Sequence, residues 1–107
     1  MKIYNKLIRD KIPETINGNN KIPDIEILSP KDSIPYLRAK LNEEIREFDV
    51  SKDPEELADI LEVVYNLGKR YGYSEAYIES IRQNKNKERG SFDRNILLKS
   101  VKEKEQI

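Results

Sequence analysis

Cysteine and histidine are both absent from the 107 residues of this chain. Without cysteine there is no disulfide bond, no thiol nucleophile and no zinc site held by thiolates. Without histidine there is no Ser-His-Asp triad, no histidine general base and no histidine-ligated metal ion. Any chemistry in this protein therefore depends on carboxylates, lysine, arginine, tyrosine or hydroxyl groups.

The chain also has no excess of either charge, since 20 Lys and Arg residues balance 20 Asp and Glu residues. A protein that binds nucleic acid normally has more basic than acidic residues, so we expect no nucleic-acid partner. No apolar run approaches the roughly 20 residues of a membrane-spanning helix. The first residues, 1–5, contain no apolar signal region, and we expect a soluble cytoplasmic protein without a membrane partner.

Hydrophobic residues are scarce, at 36% of the chain against 37% charged residues. They fall in periodic stretches, which favours a folded protein over a disordered one. We expect a single domain spanning residues 1–107, because the chain is too short for two. A thin core in so short a chain also gives slight support to an oligomer.

Residues 1–31 contain only short structural signals. Residues 17–20, with the sequence NGNN, are typical of a turn. Residues 24–28 alternate between polar and apolar side chains, which is the pattern of one short strand. A single strand cannot form a sheet, so this segment must pair elsewhere or remain merely extended.

Helical periodicity begins at Ser33, with Pro35 expected in the first turn. The apolar positions of this helix are Leu37, Leu41, Ile45 and Phe48. After a polar link at residues 49–53, Asp53 and Pro54 give a strong start signal for a second helix that ends at Gly72. Ser74 then caps a third helix. Its expected buried side consists of Ala76, Tyr77, Ile78 and Ile81.

Two pairs of acidic residues are the main functional signal. Glu44 and Glu47 are three residues apart on the first long helix, and Glu56 and Asp59 are three apart on the second. A spacing of three places both members of a pair on one helical face. Because a short link favours antiparallel neighbours, the end of one helix and the start of the next should lie side by side. All four carboxylates would then converge.

A helical wheel indicates which acids face inward. Glu44 lies about 20° outside the apolar arc of its helix, whereas Glu47 lies about 80° outside it and Glu43 about 120°. Glu56 falls inside the apolar stripe of the second helix, and Asp59 lies about 40° beyond its edge. An unpaired carboxylate on a buried face is costly. Such a break of the local pattern is typical of a functional site.

Convergent carboxylates repel one another unless a cation lies among them. An all-oxygen ligand set suits Mg²⁺, with Mn²⁺ as the alternative, and fits zinc poorly. Mg²⁺ held by a few carboxylates takes its remaining ligands from water and from substrate phosphates, which favours phosphoryl or nucleotidyl chemistry. A purely structural interpretation stays open: Glu44 pairs with Lys40, Glu56 is the capping acid for Asp53, and Asp59 is a solvated charge on the helix dipole.

The acidic segments also resemble a known family. Residues 40–47 (KLNEEIRE) followed by 55–63 (EELADILEV) resemble the paired ExxE…ExxD motif of the all-α NTP pyrophosphatase superfamily, which includes MazG-like enzymes. Residues 4–13 (YNKLIRDKIP) resemble the opening of its phosphoribosyl-ATP pyrophosphohydrolase-like branch. Residues 88–92 (ERGSF) with 96–98 (ILL) resemble the closing segment of that branch, except that Ser91 stands where the branch usually has a second glycine.

The resemblance implies an all-α antiparallel helical bundle of the MazG-like type with a short extended N-terminal segment. It implies a Mg²⁺-dependent enzyme that cleaves a nucleoside triphosphate between its α and β phosphates. The products are a monophosphate and pyrophosphate. It also implies a homo-oligomer, either a dimer or a dimer of dimers, in which helices of two subunits complete the bundle.

Carried over to this chain, the resemblance makes Glu44, Glu47, Glu56 and Asp59 the metal ligands, and one of them or Glu43 orients the attacking water. The basic candidates for binding the substrate phosphates are Lys85, Lys87, Arg89, Arg9 and Lys6. For the first three, the alternative is a basic helix end that complements the dipole. For Arg9 and Lys6, the alternative is a surface charge on an ordered N-terminal arm.

Two other functions stay open at this point. One is hydrolysis of phosphoribosyl-ATP in histidine synthesis, which needs the same metal site but a different pocket. The other is a non-catalytic helical oligomerisation module, in which the acids form a solvated face and no metal is required.

Overall fold

The chain folds into four helices and no strand within residues 1–105, the part of the protein that this computed structural model describes. The helices are α1 (Ile12–Gly18), α2 (Pro30–Ser51), α3 (Pro54–Arg70) and α4 (Glu75–Arg89). The prediction of an all-α fold is therefore confirmed. Residues 24–28 form no strand, because no second segment in the described range offers them a partner.

Helix α1 was not predicted from the sequence. It is only two turns long, buries none of its residues, and has no side-chain cap at Lys11. Its start depends on Pro13, which is pre-organised for the first turn of a helix. Such a short, exposed helix leaves no apolar period for a sequence pattern to detect.

Helix α2 begins three residues earlier than its apolar pattern indicates. The hydroxyl of Ser29 accepts a hydrogen bond from the Asp32 backbone N–H at 3.1 Å, and Pro30 occupies the first position of the helix. The expectation that Pro35 lies in the first turn is wrong, because Pro35 lies inside the helix. There it removes one N–H from the backbone ladder, which the long helix tolerates near its start.

The link between α2 and α3 is only two residues long, shorter than the predicted link at 49–53. Lys52 ends α2 in the left-handed conformation, with φ of 57°, and its N–H donates to the Phe48 carbonyl at 2.8 Å. Asp53 then caps α3, as predicted, by accepting from the Glu55 N–H at 2.9 Å. This tight reversal makes α2 and α3 antiparallel neighbours, with the end of one beside the start of the other.

Helix α4 contacts α3 mainly near the turn that joins them. Gly72 forms this turn with φ of 85°, and the Ser74 hydroxyl caps α4 by accepting from the Tyr77 N–H, as predicted. Ile78 packs against Gly68, where a side chain would clash with it. The other three residues expected on the buried side of α4 are exposed, because little of the chain packs against this helix. They are Ala76, Tyr77 and Ile81.

The single chain is elongated and has very little core. Its radius of gyration is 19.8 Å, whereas a compact domain of this length has about 13 Å. Among the described residues, Leu37 and Val63 are the buried hydrophobic side chains, at 3% and 7% exposure. In the described part of the chain, no helix combines the length and the apolar character needed to cross a membrane.

Candidate metal centre

Three of the four predicted acids converge where α2 ends and α3 begins. One carboxylate oxygen from each of Glu44, Glu56 and Asp59 lies within 4.8 Å of the others. Glu44 comes from the C-terminal half of α2, and the other two come from the first two turns of α3. The two-residue link brings them together. We call these three residues the acidic cluster.

Glu44 is the most deeply buried member of the acidic cluster, at 5% exposure. Its Oε1 atom lies 3.5 Å from the Nζ atom of Lys40, one helical turn earlier. Its Oε2 atom is buried and has no hydrogen-bond partner in the described structure. A buried carboxylate oxygen without a partner is costly, and it is an unused ligand atom inside the cluster.

The electrostatics of the cluster reflect its crowding. Burial, followed by the neighbouring Glu47 carboxylate, raises the pKa of Glu44 to about 7, although Lys40 opposes the shift. Desolvation also raises the pKa of Glu56; the Glu44 carboxyl group opposes this shift, and the carboxylates of Glu47 and Asp59 add to it. Both shifts mean that negative charge is disfavoured here without a cation, as expected for like charges held together.

Glu47 lies at the edge of the site. It is exposed and does not belong to the acidic cluster, although it is near enough to Glu44 to influence its pKa. It lines an open concavity of about 450 Å³ together with Glu56 and Arg46. Arg46 was not predicted as a site residue, and its place in the sequence between Glu44 and Glu47 is the signal that could have indicated it.

Glu43, predicted as one candidate for orienting water, is held by two lysines. Its carboxylate lies 3.2 Å from the Nζ of Lys6 and 3.4 Å from that of Lys40. Desolvation opposes ionisation of Glu43, but these lysines outweigh it and lower its pKa. Glu43 is therefore ionised and paired beside the cluster rather than part of it.

The N-terminal arm, residues 1–11, reaches the acidic cluster directly. The guanidinium of Arg9 donates a hydrogen bond to the Oδ1 atom of Asp59 at 2.6 Å. Lys6 contacts Glu43, as described above, so the arm contacts both α2 and α3 at the site. Two of the five basic candidates are thus brought to the acids, through ion pairs that the sequence pattern did not reveal.

The other three basic candidates lie away from the acids. Within residues 1–105, no ion pair or hydrogen bond connects Lys85, Lys87 or Arg89 to the acidic cluster. Lys85 and Arg89 instead line a second concavity of about 460 Å³, to which Phe92 also contributes. Within one chain, therefore, these basic residues do not share a site with the carboxylates.

The purely structural interpretation of the acids is met only in part. Lys40 does pair with Glu44, but with one of its two oxygens. Glu56 is not a capping acid, since the Asp53 N–H donates to the Ser51 hydroxyl at 3.1 Å. Asp59 binds Arg9 across 50 residues of sequence and is not a free charge on the helix dipole.

The acidic cluster fits a hard divalent cation. It offers three carboxylate oxygens close together, and one carboxylate in it has an unpartnered buried oxygen. With neither histidine nor cysteine in the chain, the donor set is the one preferred by Mg²⁺ or Mn²⁺. Searches of family models, curated proteins and solved structures find no match to this chain.

Proposed function

We propose that this protein is a metal-dependent nucleotide pyrophosphohydrolase that converts a nucleoside triphosphate and water into a monophosphate and pyrophosphate. The observation that carries the proposal is the buried, unpartnered Oε2 atom of Glu44 inside the acidic cluster. Burying this oxygen without a partner costs free energy that a bound cation would offset, and a solvated helix face would not leave the oxygen buried.

In this proposal Glu44, Glu56 and Asp59 hold Mg²⁺, with Mn²⁺ as a substitute. When bound, such an ion would supply positive charge for the departing pyrophosphate and would make an attacking water more acidic. Glu47, at the edge of the cluster, orients water through its exposed carboxylate. Glu43 stays paired with Lys6 and Lys40, and it holds these two lysine side chains beside the phosphates of the substrate.

The assignment of the scissile bond to the α–β linkage rests on the resemblance of residues 40–47 and 55–63 to all-α NTP pyrophosphatases. The acidic cluster itself supports metal-assisted phosphoryl or nucleotidyl chemistry in general. Hydrolysis of phosphoribosyl-ATP remains the second candidate, because the resemblance of residues 4–13 is to the branch described by that activity.

We also propose that the working unit is a homodimer or a dimer of dimers. The single chain leaves large hydrophobic side chains of α3 and α4 exposed, among them Leu57, Leu61, Tyr77 and Ile81. A second copy of this chain would cover these exposed faces, as in the symmetric homo-oligomers that most oligomeric proteins form. In such an oligomer the basic end of α4 from one subunit is a candidate for completing the site of another.

The experiment that tests the proposed function is pyrophosphate release from a panel of nucleoside triphosphates and phosphoribosyl-ATP, with Mg²⁺ and with EDTA. Glu56→Gln keeps the size of the side chain and removes the charge of a metal ligand. We expect pyrophosphate release to fall at least about 100-fold, which exceeds the usual effect of changing a residue that only supports the ligands. Glu55→Gln is the matched control, because Glu55 is exposed in the same helical turn.

The panel also distinguishes the alternatives. Release that needs Mg²⁺ and is lost in Glu56→Gln supports the enzyme, and the preferred substrate decides between a triphosphate and phosphoribosyl-ATP. No release from any member of the panel, together with a melting temperature that Mg²⁺ does not change, would support the non-catalytic oligomerisation module.

A further inference from the structure

Arg9 binds a carboxylate of the acidic cluster. Its guanidinium contacts the Oδ1 atom of Asp59, and that carboxylate is one of the three that approach within 4.8 Å of one another. A cation that binds all three carboxylates therefore shares the Asp59 carboxylate with Arg9 and competes with it for the negative charge. The protein thus carries its own counter-ion at the site proposed for the metal.

The arm is held in position by contacts on both sides of Arg9. Leu7 and Ile8 are half-buried, whereas most other residues of the arm are exposed. The Arg9 carbonyl accepts from the Ile12 N–H at 3.0 Å, which turns the chain into α1. Lys6 contacts α2 through Glu43. Arg9 is therefore carried to Asp59 by a segment that is anchored on both sides of it.

The contact with Asp59 is nevertheless easy to exchange. The Arg9 side chain is 58% exposed and that of Asp59 is 33% exposed. Ion pairs this accessible to water contribute little net stability. A divalent ion that gains three carboxylate oxygens would displace a single exposed guanidinium.

A displaced Arg9 has a second partner beside the cluster. Mg²⁺ held by a few carboxylates takes its remaining ligands from substrate phosphates, so phosphate oxygens would arrive next to Asp59. Guanidinium groups bind phosphate oxygens with two parallel hydrogen bonds. The same side chain can neutralise the empty cluster and then bind the incoming phosphates.

We propose that Arg9 is a displaceable counter-ion: it blocks Asp59 before the metal binds, and it moves to a phosphate of the substrate when the metal arrives. This inference rests on the proposed function and adds a role for the N-terminal arm. It makes metal and phosphate binding interdependent, because phosphate gives Arg9 an alternative to Asp59.

The test uses the full chain and two probes, Mn²⁺ alone and inorganic pyrophosphate in saturating Mg²⁺, each measured by titration calorimetry. In Arg9→Ala we expect Mn²⁺ alone to bind about 2- to 5-fold more tightly, the range expected on removal of an exposed ion pair. We expect pyrophosphate to bind about 10-fold more weakly, because a charge-assisted hydrogen bond is lost. The opposite signs distinguish competition from a general loss of structure.

Lys11→Ala is the matched control, since it removes the same charge from the same arm. Within the described residues Lys11 forms no ion pair with the acids. We expect this variant to bind Mn²⁺ as the wild type does. Arg9→Gln, which keeps most of the side chain's length, should reproduce Arg9→Ala.

Three results would overturn the inference. The first is unchanged or weaker Mn²⁺ binding in both Arg9 variants, and the second is equal tightening in Lys11→Ala, which would indicate a general charge effect. In either case the proposed function stands if the wild type binds Mn²⁺ and Glu56→Gln does not. The third is a wild type that binds no Mn²⁺, which rejects the proposed metal site as well.

Discussion

The Nζ atom of Lys40 lies 3.5 Å from the Oε1 atom of Glu44 and leaves the other oxygen of that carboxylate buried without a partner. The two residues are one helical turn apart on α2, a spacing at which opposite charges attract. This pairing neutralises Glu44 only in part. In the absence of metal, ionisation of Glu44 should therefore weaken the fold.

The metal-free chain should lose stability as the pH rises. The pKa of Glu44 is about 7 in the folded chain against an ordinary value of 4.5. Between these values the folded chain keeps a proton that the unfolded chain has released, so the free energy of unfolding falls as the pH increases. Glu56, with a raised pKa, acts in the same direction. The total for Glu44 is at most about 3 kcal/mol, at 1.36 kcal/mol per pKa unit.

Urea unfolding in EDTA at pH 5 and pH 8 measures this loss, and Glu44→Gln should remove most of it. The variant should be more stable than the wild type at pH 8 without metal, yet show no rise in melting temperature with Mg²⁺. Asp49→Asn, an exposed change on the same helix, is the control. Equal wild-type stability at the two pH values would contradict the prediction.

Glu47 should contribute less to metal binding than Glu56. It is exposed and lies outside the acidic cluster, although it shares the concavity with Glu56. We expect Glu47→Gln to weaken Mn²⁺ binding about 10-fold, the effect typical of a group that supports the ligands from outside. Titration calorimetry of both Gln variants makes the comparison. Equal losses would show that Glu47 is a direct ligand, as the ExxE motif implies.

The convergence of three of the four predicted carboxylates was largely predictable, because it depends on local rules. Helical spacing fixed the faces of Glu44 and Glu56, and Asp53 with Pro54 fixed the start of α3. The shortness of the link then required antiparallel neighbours. The structure confirms that Glu44, Glu56 and Asp59 come together, and it places Glu47 outside them.

The features that the sequence could not reveal are of two kinds. Some are contacts between residues far apart in the sequence, and others depend on what packs against a helix. Arg9 and Asp59 are 50 residues apart, and no periodic pattern connects an irregular arm to a helix. Ile81 on α4 was predicted to be buried but is exposed, for a related reason. An apolar stripe indicates that a helix face packs against something, but it does not indicate whether the same chain or another one provides the contact. The start of α2 was misplaced because the Ser29–Pro30 cap precedes the first apolar residue.

A hydrogen bond far from the acidic cluster should stabilise the α2–α3 pair without affecting Mn²⁺ binding. The buried Ser33 hydroxyl accepts from the Nε of Arg70 at 2.9 Å and donates to the Pro30 carbonyl at 2.7 Å. We expect a double-mutant cycle of Ser33→Ala and Arg70→Ala to give a coupling free energy of about 1 kcal/mol. Urea unfolding measures it, and unchanged Mn²⁺ affinity in both variants is the control. Strictly additive losses would show that the bond contributes nothing.

Lys52 should tolerate glycine and reject a β-branched residue. Its φ of 57° and ψ of 19° place it in the left-handed region where α2 reverses into α3. A β-branched side chain is strained there, so Lys52→Val should lower the free energy of unfolding by about 1–2 kcal/mol. Lys52→Gly relieves the backbone but loses the lysine contact with the Phe48 ring, and its net effect should be small. Thermal unfolding of the two variants checks this contrast, and a stable Lys52→Val would refute it.

The exposed apolar face of α3 should determine the oligomeric state. Leu57 and Leu61 lie one turn apart and are 46% and 52% exposed in the single chain, which buries too little apolar surface for its length. We expect sedimentation equilibrium to give at least twice the mass of one chain, and Leu61→Lys to give the mass of one chain. Ile22→Lys is the control, since Ile22 is fully exposed and outside every helix. The melting temperature of the wild type should rise with protein concentration, because association stabilises the fold by mass action, and that of Leu61→Lys should not. A wild type that sediments as one chain at every concentration would contradict the homodimer, and the exposed face of α3 would then require a different partner.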